Sequence, residues 1–192
     1  MPTLHLIGGP NGAGKSTNSI FLPRYKKITR FDPDEFIVEL ISQGIEDEQN
    51  QLYSIKLKVE ELFENKESFS FESNLHKTDN YSIVKLAKQH RYKTELTFIS
   101  LDDVNNLYDR VGERAALGKH DIPKATILKR YQDGLILLPS HINDFDKVRL
   151  VDASELKLAD PIVISKYKPF TRPSYSIPKW CDTVIESYLS ES

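Results

Sequence analysis

The stretch GGPNGAGKST, Gly8 to Thr17, directly follows an apolar run, TLHLIG, near the start of the chain. Gly9, Gly14, Lys15 and Ser16 have the spacing of a phosphate-binding loop. In such a loop consecutive backbone N–H groups form a concave anion site and the lysine reaches the outer phosphates of a nucleoside triphosphate. The residues expected to hold the nucleotide are Gly9, Pro10, Asn11, Gly12, Ala13, Gly14, Lys15, Ser16 and Thr17, with the Ser16 hydroxyl on Mg²⁺. The motif needs a strand before it and a helix after it, and the flanks comply: TLHLIG suits a buried strand, and a helix can start near Lys15 and end at Pro23. A glycine-rich turn with no ligand, the competing reading, needs neither flank.

Outward from the loop, short strand-like runs recur: KITRFD near residue 27, SFSFES near 68, TELTFISL near 94 and KVRLVDAS near 147. Helical patterns separate most of them. Leu52, Ile55, Val59, Leu62 and Phe63 repeat at helical spacing; Asp79 is placed to cap the next helix; Val104, Leu107, Tyr108 and Val111 form a further stripe; and Leu128, Tyr131, Leu135 and Leu138 form another before Pro139, which is expected to stop it. Alternation of this kind, with the phosphate-binding loop after the first strand, predicts a three-layer α/β/α fold with a mainly parallel sheet of about five strands, a helical lid near 103–130, and ligands at the carboxyl ends of the strands. Residues 1–160 are read as this core. Residues 161–192, with Pro161, Pro169, Pro173 and Pro178, are read as a Pro-rich extended arm and a closing helix packed on the core.

Composition narrows the function classes. Twenty-six Lys and Arg against 28 Asp and Glu give a formal charge of −2, which argues against nucleic-acid or membrane binding by a broadly basic surface. A single cysteine, Cys181, excludes an intramolecular disulfide and reads as a buried structural thiol. With no secretory leader and no long apolar run, a cytoplasmic location is expected.

A phosphate loop alone does not separate a phosphotransferase from a nucleotide-dependent switch with a protein partner. Phosphoryl transfer to a hydroxyl needs a carboxylate to take the proton and cations to bear the transition-state charge. In RFDPDEF, Asp34 suits the base, although the same residue type suits a helix cap. In FESN, Glu72, Ser73 and Asn74 emerge from an apolar strand, with His76 just beyond; substrate contact, a role beside the metal, and a plain turn compete there. Arg110, Arg114, Lys119, His120 and Arg130 form a cationic set suited to a lid, the alternative being an ion-paired surface helix. The expected catalytic set is Asp34, Lys15, Arg110, Arg114, His120 and Arg130, and the expected substrate contacts are Asp34, Glu72, Ser73, Asn74 and His76.

Taken together, GPNGAGKST, FDPDEF, FSFESNL, RVGERAALGKHDIP with LKRY, and VDAS resemble the zeta toxin family of P-loop kinases, its short members above all, in order over residues 1–154. The resemblance implies phosphorylation of UDP-N-acetylglucosamine at the 3′-hydroxyl by ATP or GTP with Mg²⁺, and an antitoxin as protein partner. It implies that Lys15 and Ser16 hold phosphate and metal, Asp34 is the general base, Glu72 contacts substrate, and Arg110 is a phosphate-binding lid arginine. Two departures bear on the acceptor. His120 in GKHDIP stands where larger members carry a second lid arginine, and Asn74 and His76 replace a Thr and an Arg near the substrate. A kinase for another small hydroxyl compound, such as an antibiotic, nucleoside or sugar, shares the same logic.

Overall fold

The computed structural model describes residues 1–16, 28–117, 122–155 and 161–191. The apolar and β-branched runs become six strands: β1 (Thr3–Gly8), β2 (Thr29–Phe31), β3 (Phe69–Ser73), β4 (Lys93–Ser100), β5 (Lys147–Asp152) and β6 (Ile162–Ser165). They form one sheet in the order β2-β3-β1-β4-β5-β6. All pairings are parallel except β5 with β6. After β1 the chain fills one flank with β2 and β3 and then crosses to fill the other with β4 and β5. That reversal opens a crevice beyond the carboxyl end of β1, where the phosphate-loop sequence lies.

The described helices are α1 (Pro33–Ser42), α2 (Glu48–Glu64), α3 (Ser82–Gln89), α4 (Val104–Ala116), α5 (Lys124–His141) and α6 (Lys179–Glu191). A helix also begins at Lys15 and Ser16, and its continuation lies outside the described residues. Strand alternation divides the core between two faces. Leu4 and Leu6 of β1, Leu96 and Phe98 of β4, and Val148 and Leu150 of β5 pack with Val59 and Phe63 of α2, Val84 and Ala87 of α3, and Val184 and Ile185 of α6. Ile7, Ile99 and Val151 join Leu107 and Val111 of α4 and Ile127 of α5 in a second cluster. The result is the three-layer α/β/α arrangement.

Four details depart from expectation. The sheet has six strands rather than about five, because IVIS buries Ile162 and Ile164 while Val163 is turned outward, a period of two that suits an edge strand. The stretch from Asp152 to Ile162 is shorter than the roughly dozen residues a parallel crossover needs, so β6 runs antiparallel. The segment from residue 161 is therefore part of the sheet before it becomes an arm. Asp79 lies inside a 3₁₀ turn, Thr78–Tyr81, that precedes α3, and does not cap that helix. Pro139 is buried inside α5, which runs on to His141; so near the helix end the missing N–H costs one bond and the ring gains packing.

The last helix docks by its own first turn. Asp102, just past β4, accepts hydrogen bonds from the backbone N–H of Lys179 (2.9 Å) and Trp180 (2.8 Å), two of the donors a helix start leaves unpaired. Trp180 is buried, 5.9 Å from Phe98 between ring centres, and its Nε1 donates to Asp152 Oδ1 at 3.1 Å. Cys181 is buried beside it, and burial, with the nearby Asp152 and Asp102 carboxylates, pushes its thiol well above the ordinary range. It is a packing residue.

Candidate active site at the carboxyl end of the sheet

The loop after β1 is built on close approach. Gly9 has φ +137° and Gly12 φ +83°. A Cβ on Gly9 would stand 2.0 Å from the Ile99 carbonyl oxygen at the end of β4, and one on Gly12 would stand 2.6 Å from the Leu107 carbonyl oxygen in α4. Only glycine tolerates both the backbone conformation and the space.

Lys15 folds back across this loop. Its Nζ donates to the carbonyl oxygens of Gly9 (2.7 Å) and Pro10 (3.1 Å) and to Asn74 Oδ1 (2.7 Å). Burial pulls its pKa down from 10.5 to about 8, opposed by the Glu72, Asp34 and Asp32 carboxylates and reinforced by repulsion from Arg114. Asn74 reaches the lysine from a turn in which the buried Leu75 holds a left-handed φ of +51°, an energetically costly conformation for a branched residue. The Leu75 N–H donates to Ser73 Oγ at 3.3 Å, so the Ser73 hydroxyl helps to shape that turn.

On the β2 and β3 side, alternation sets Arg30 and Asp32 on the same side of the sheet as Ser70 and Glu72, with Arg30 in register with Ser70. Glu72 is 5 % exposed. Its Oε2 accepts from Ser16 Oγ at 2.9 Å, and its Oε1 accepts from Arg30 Nε at 2.9 Å. The remaining reach of Arg30 goes to Asp32 Oδ2 (3.4 Å) and Glu35 Oε1 (3.3 Å). Burial, followed by the neighbouring Asp32 charge, holds the Glu72 carboxyl above its usual range, while Arg30, Ser16 and Lys15 pull the other way. Arg30 is the member of this cluster that sequence reading missed. A lone cation in a short strand two residues before a carboxylate was the available signal, but its partner is 42 residues away.

The two aspartates of RFDPDEF separate by geometry. Asp32 caps α1, accepting the Asp34 N–H at 3.0 Å, whereas the exposed Asp34 side chain has no capping bond and lies close enough to Lys15 to support its charge. On the opposite flank, Arg130 Nη1 of α5 donates to Asn11 Oδ1 at 2.9 Å, joining α5 to the loop after β1. Arg110 Nη2 of α4 donates to the Ala153 carbonyl oxygen at 2.9 Å, just past β5. Arg114, one turn further along α4, is the arginine whose charge acts on Lys15. His76 has a buried Nδ1 with no hydrogen-bond partner among the described residues. Burial, with Arg130 and Lys77, lowers its pKa, which favours the neutral ring. Thr17, Lys119 and His120 lie outside the described residues.

The donor set suits Mg²⁺. Ser16 and Glu72 present hard oxygens in contact beside the loop, and Mg²⁺ is commonly held by one or two protein oxygens together with substrate phosphates. Among the described residues no three His, Cys, Asp or Glu side chains converge as a complete metal cage.

Comparison with protein-family models gives no match, and comparison with curated protein sequences gives none. Solved structures do match. The PezAT chromosomal toxin-antitoxin system of Streptococcus pneumoniae aligns at TM-score 0.63 and 17 % identity, over 100 % of this chain and 80 % of that one. AvrRxo1-ORF1:AvrRxo1-ORF2 with sulphate ions aligns at 0.65 and 16 %, over 93 % and 66 %, and the same pair with ATP at 0.59 and 18 %, over 92 % and 65 %. This chain thus spans about two thirds of the AvrRxo1 chains. A sugar kinase from Janibacter sp. aligns at 0.51 and 14 %, over 81 % and 87 %. The chain has the three-layer α/β/α fold of these structures, which include a toxin-antitoxin system and a sugar kinase, and this fold agrees with the one that the resemblance implies.

Proposed function

We propose that the protein is an ATP- or GTP-dependent kinase of the zeta toxin type that transfers the γ-phosphoryl group to a hydroxyl of a small acceptor. The observation that carries this is the convergence of Lys15, Ser16, Glu72 and Asp34 at one end of the sheet, with three lid arginines across from them. In this reading the loop amides and Lys15 hold the donor phosphates. Asp34 orients the acceptor hydroxyl and takes its proton as the oxygen attacks phosphorus, and Arg114 and Arg130 offset charge on the transferred group. Ser16 and Glu72 would hold Mg²⁺, which neutralises phosphate charge when bound. To do this Lys15 exchanges its bonds to the Gly9, Pro10 and Asn74 oxygens for bonds to phosphate oxygens.

UDP-N-acetylglucosamine is the acceptor that the resemblance supplies. The acidic surroundings of Asp34 favour a second reading, a kinase for another small hydroxyl compound, within the same mechanism. An antitoxin partner belongs to this proposal too, since a matched structure comes from a toxin-antitoxin system. The test is transfer of labelled phosphate from ATP with Mg²⁺ to a panel of hydroxyl compounds, with Lys15→Ala and Asp34→Asn run alongside. Acceptor-dependent product that falls about 10²-fold or more in both variants is expected. Phosphate release to water alone, unchanged in Asp34→Asn, would replace the kinase with a nucleotide-dependent switch. No helix among the described residues is long and apolar enough to cross a membrane.

A further inference from the structure

Asp34 stands in the first turn of α1, whereas the buried residue of that helix, Leu40, lies in a later turn. Near the helix start Phe36 packs inward, its ring 5.4 Å from that of the buried Phe31 at the end of β2. Polar contacts supply the rest of the hold. The Asp34 N–H donates to Asp32 Oδ1 at 3.0 Å, and the other oxygen of that carboxylate, Oδ2, accepts from Arg30 Nη2 at 3.4 Å. Arg30 Nε donates to Glu72 Oε1 at 2.9 Å, and Glu72 Oε2 accepts from Ser16 Oγ at 2.9 Å. One continuous chain of contacts thus runs from the serine after the glycine-rich loop to the backbone of the candidate base.

Arg30 is the middle member of this chain. It lies on the edge strand β2 in register with Ser70, so Glu72 is its diagonal neighbour on β3, a separation that a long side chain spans. Exposure decides which of its partners count. Glu35 Oε1, 3.3 Å from Arg30 Nη2, belongs to a side chain 62 % exposed and adds little, whereas the Asp32 and Glu72 side chains are 11 % and 4 % exposed. A guanidinium presents its N–H groups in one rigid plane, so it fixes the two shielded carboxylates relative to each other as well as offsetting their charge. A lysine ammonium at the same place supplies charge without that fork.

We propose that Arg30 is a positioning residue of the transfer reaction: by joining Asp32 to Glu72 it sets the distance between Asp34 and the phosphoryl group held on the Lys15 and Ser16 side. This rests on the kinase reading above and on the placement of Asp34 in it. Arg30 itself touches no reacting atom and exchanges no proton. Misplacing a reacting group by about 1 Å costs about 10²-fold in rate, so loss of the fork falls on kcat, while binding of donor and acceptor is largely kept.

The experiment uses the full chain with ATP and Mg²⁺ as donor, and offers UDP-N-acetylglucosamine, kanamycin, uridine and glucose separately as acceptors. For those that the parent phosphorylates, kcat and KM are measured in Arg30→Lys, in Asp34→Asn and in the double variant, beside the dissociation constant for ATP and urea denaturation. Lysine replaces Arg30 so that the buried Glu72 keeps a cation beside it. In Arg30→Lys, kcat is expected to fall about tenfold or more, with the acceptor KM and the ATP dissociation constant within about threefold of the parent. In the Asp34→Asn background the same replacement is expected to cost less than about twofold, because Arg30 acts through the carboxylate already removed; a merely structural contact would cost the same factor in both backgrounds. Asp32→Asn reaches the same link from the other side and keeps the helix cap. An amide has one acceptor oxygen where a carboxylate has two, so the Asp34 N–H and Arg30 compete for it, and kcat is expected to fall about fivefold with the urea midpoint near that of the parent. Losses of equal size in both backgrounds, or kcat within about threefold of the parent in Arg30→Lys together with an unchanged kcat in Asp32→Asn, overturn the positioning role and leave the kinase standing. Phosphate release to water alone with every acceptor overturns both.

Discussion

Lys15 shows how much of the site's chemistry is set by desolvation around single groups. In the folded protein burial holds its pKa down at about 8, whereas an unfolded chain binds that proton up to about 10.5. Between those values the unfolded chain carries more protons, so this group makes the folded protein more stable as pH rises from about 8 toward 10.5, and withholds that stability below 8. A bound triphosphate favours the ammonium and raises its pKa again. Nucleotide binding at pH 8.5 is therefore expected to take up about three quarters of a proton at this group, and binding at pH 6.5 almost none. Calorimetric titration in two buffers of different ionisation enthalpy reads this directly, and equal apparent enthalpies at pH 8.5 would mean that the lysine does not meet the phosphates. Lys15 was legible in the sequence because the loop motif fixes it. Its bonds to Gly9, Pro10 and Asn74 were not, because Asn74 is 59 residues away and is aimed by the left-handed turn at Leu75.

At the scale of elements, α1 resolves what RFDPDEF left open. One aspartate caps the helix and the other is released from that duty, since the Asp34 N–H is itself the group that Asp32 accepts. The two positions should separate in measurement. Asp32→Ala removes a cap and is expected to cost about 1 kcal/mol of stability. Asp34→Ala, at an exposed position with no capping bond, is expected to fall within about 0.5 kcal/mol of the parent while transfer activity collapses. Urea denaturation beside the transfer assay distinguishes them, and a larger stability loss at Asp34 than at Asp32 would reverse the roles. Helices α4 and α5 divide in a similar way. Spacing predicted both as helices, but only packing turned Arg110 toward the Ala153 carbonyl and Arg130 toward Asn11 and brought the Arg114 charge within reach of Lys15.

Over the whole molecule, the segment from residue 161 onward completes the sheet and covers its first face, and so belongs to the cooperative unit. β6 shields the β5 edge, and α6 seats Trp180 on Phe98 of a central strand. Trp180→Ala is expected to cost about 3 to 5 kcal/mol, a shift in the urea midpoint with little change in the slope. A loss below about 1 kcal/mol would mean that the helix is an appendage. The sequence by itself determined the glycine-rich loop after the first strand, the alternation of strands and helices, and the residue types at the crevice, because these depend on short-range spacing and on hydrophobic period. It did not reveal the sixth strand, the helix that continues through Pro139, or the Arg30–Glu72–Ser16 chain of contacts. Each of these depends on groups far apart in sequence, and only the tertiary structure brings them close enough for burial and charge to decide which bonds form.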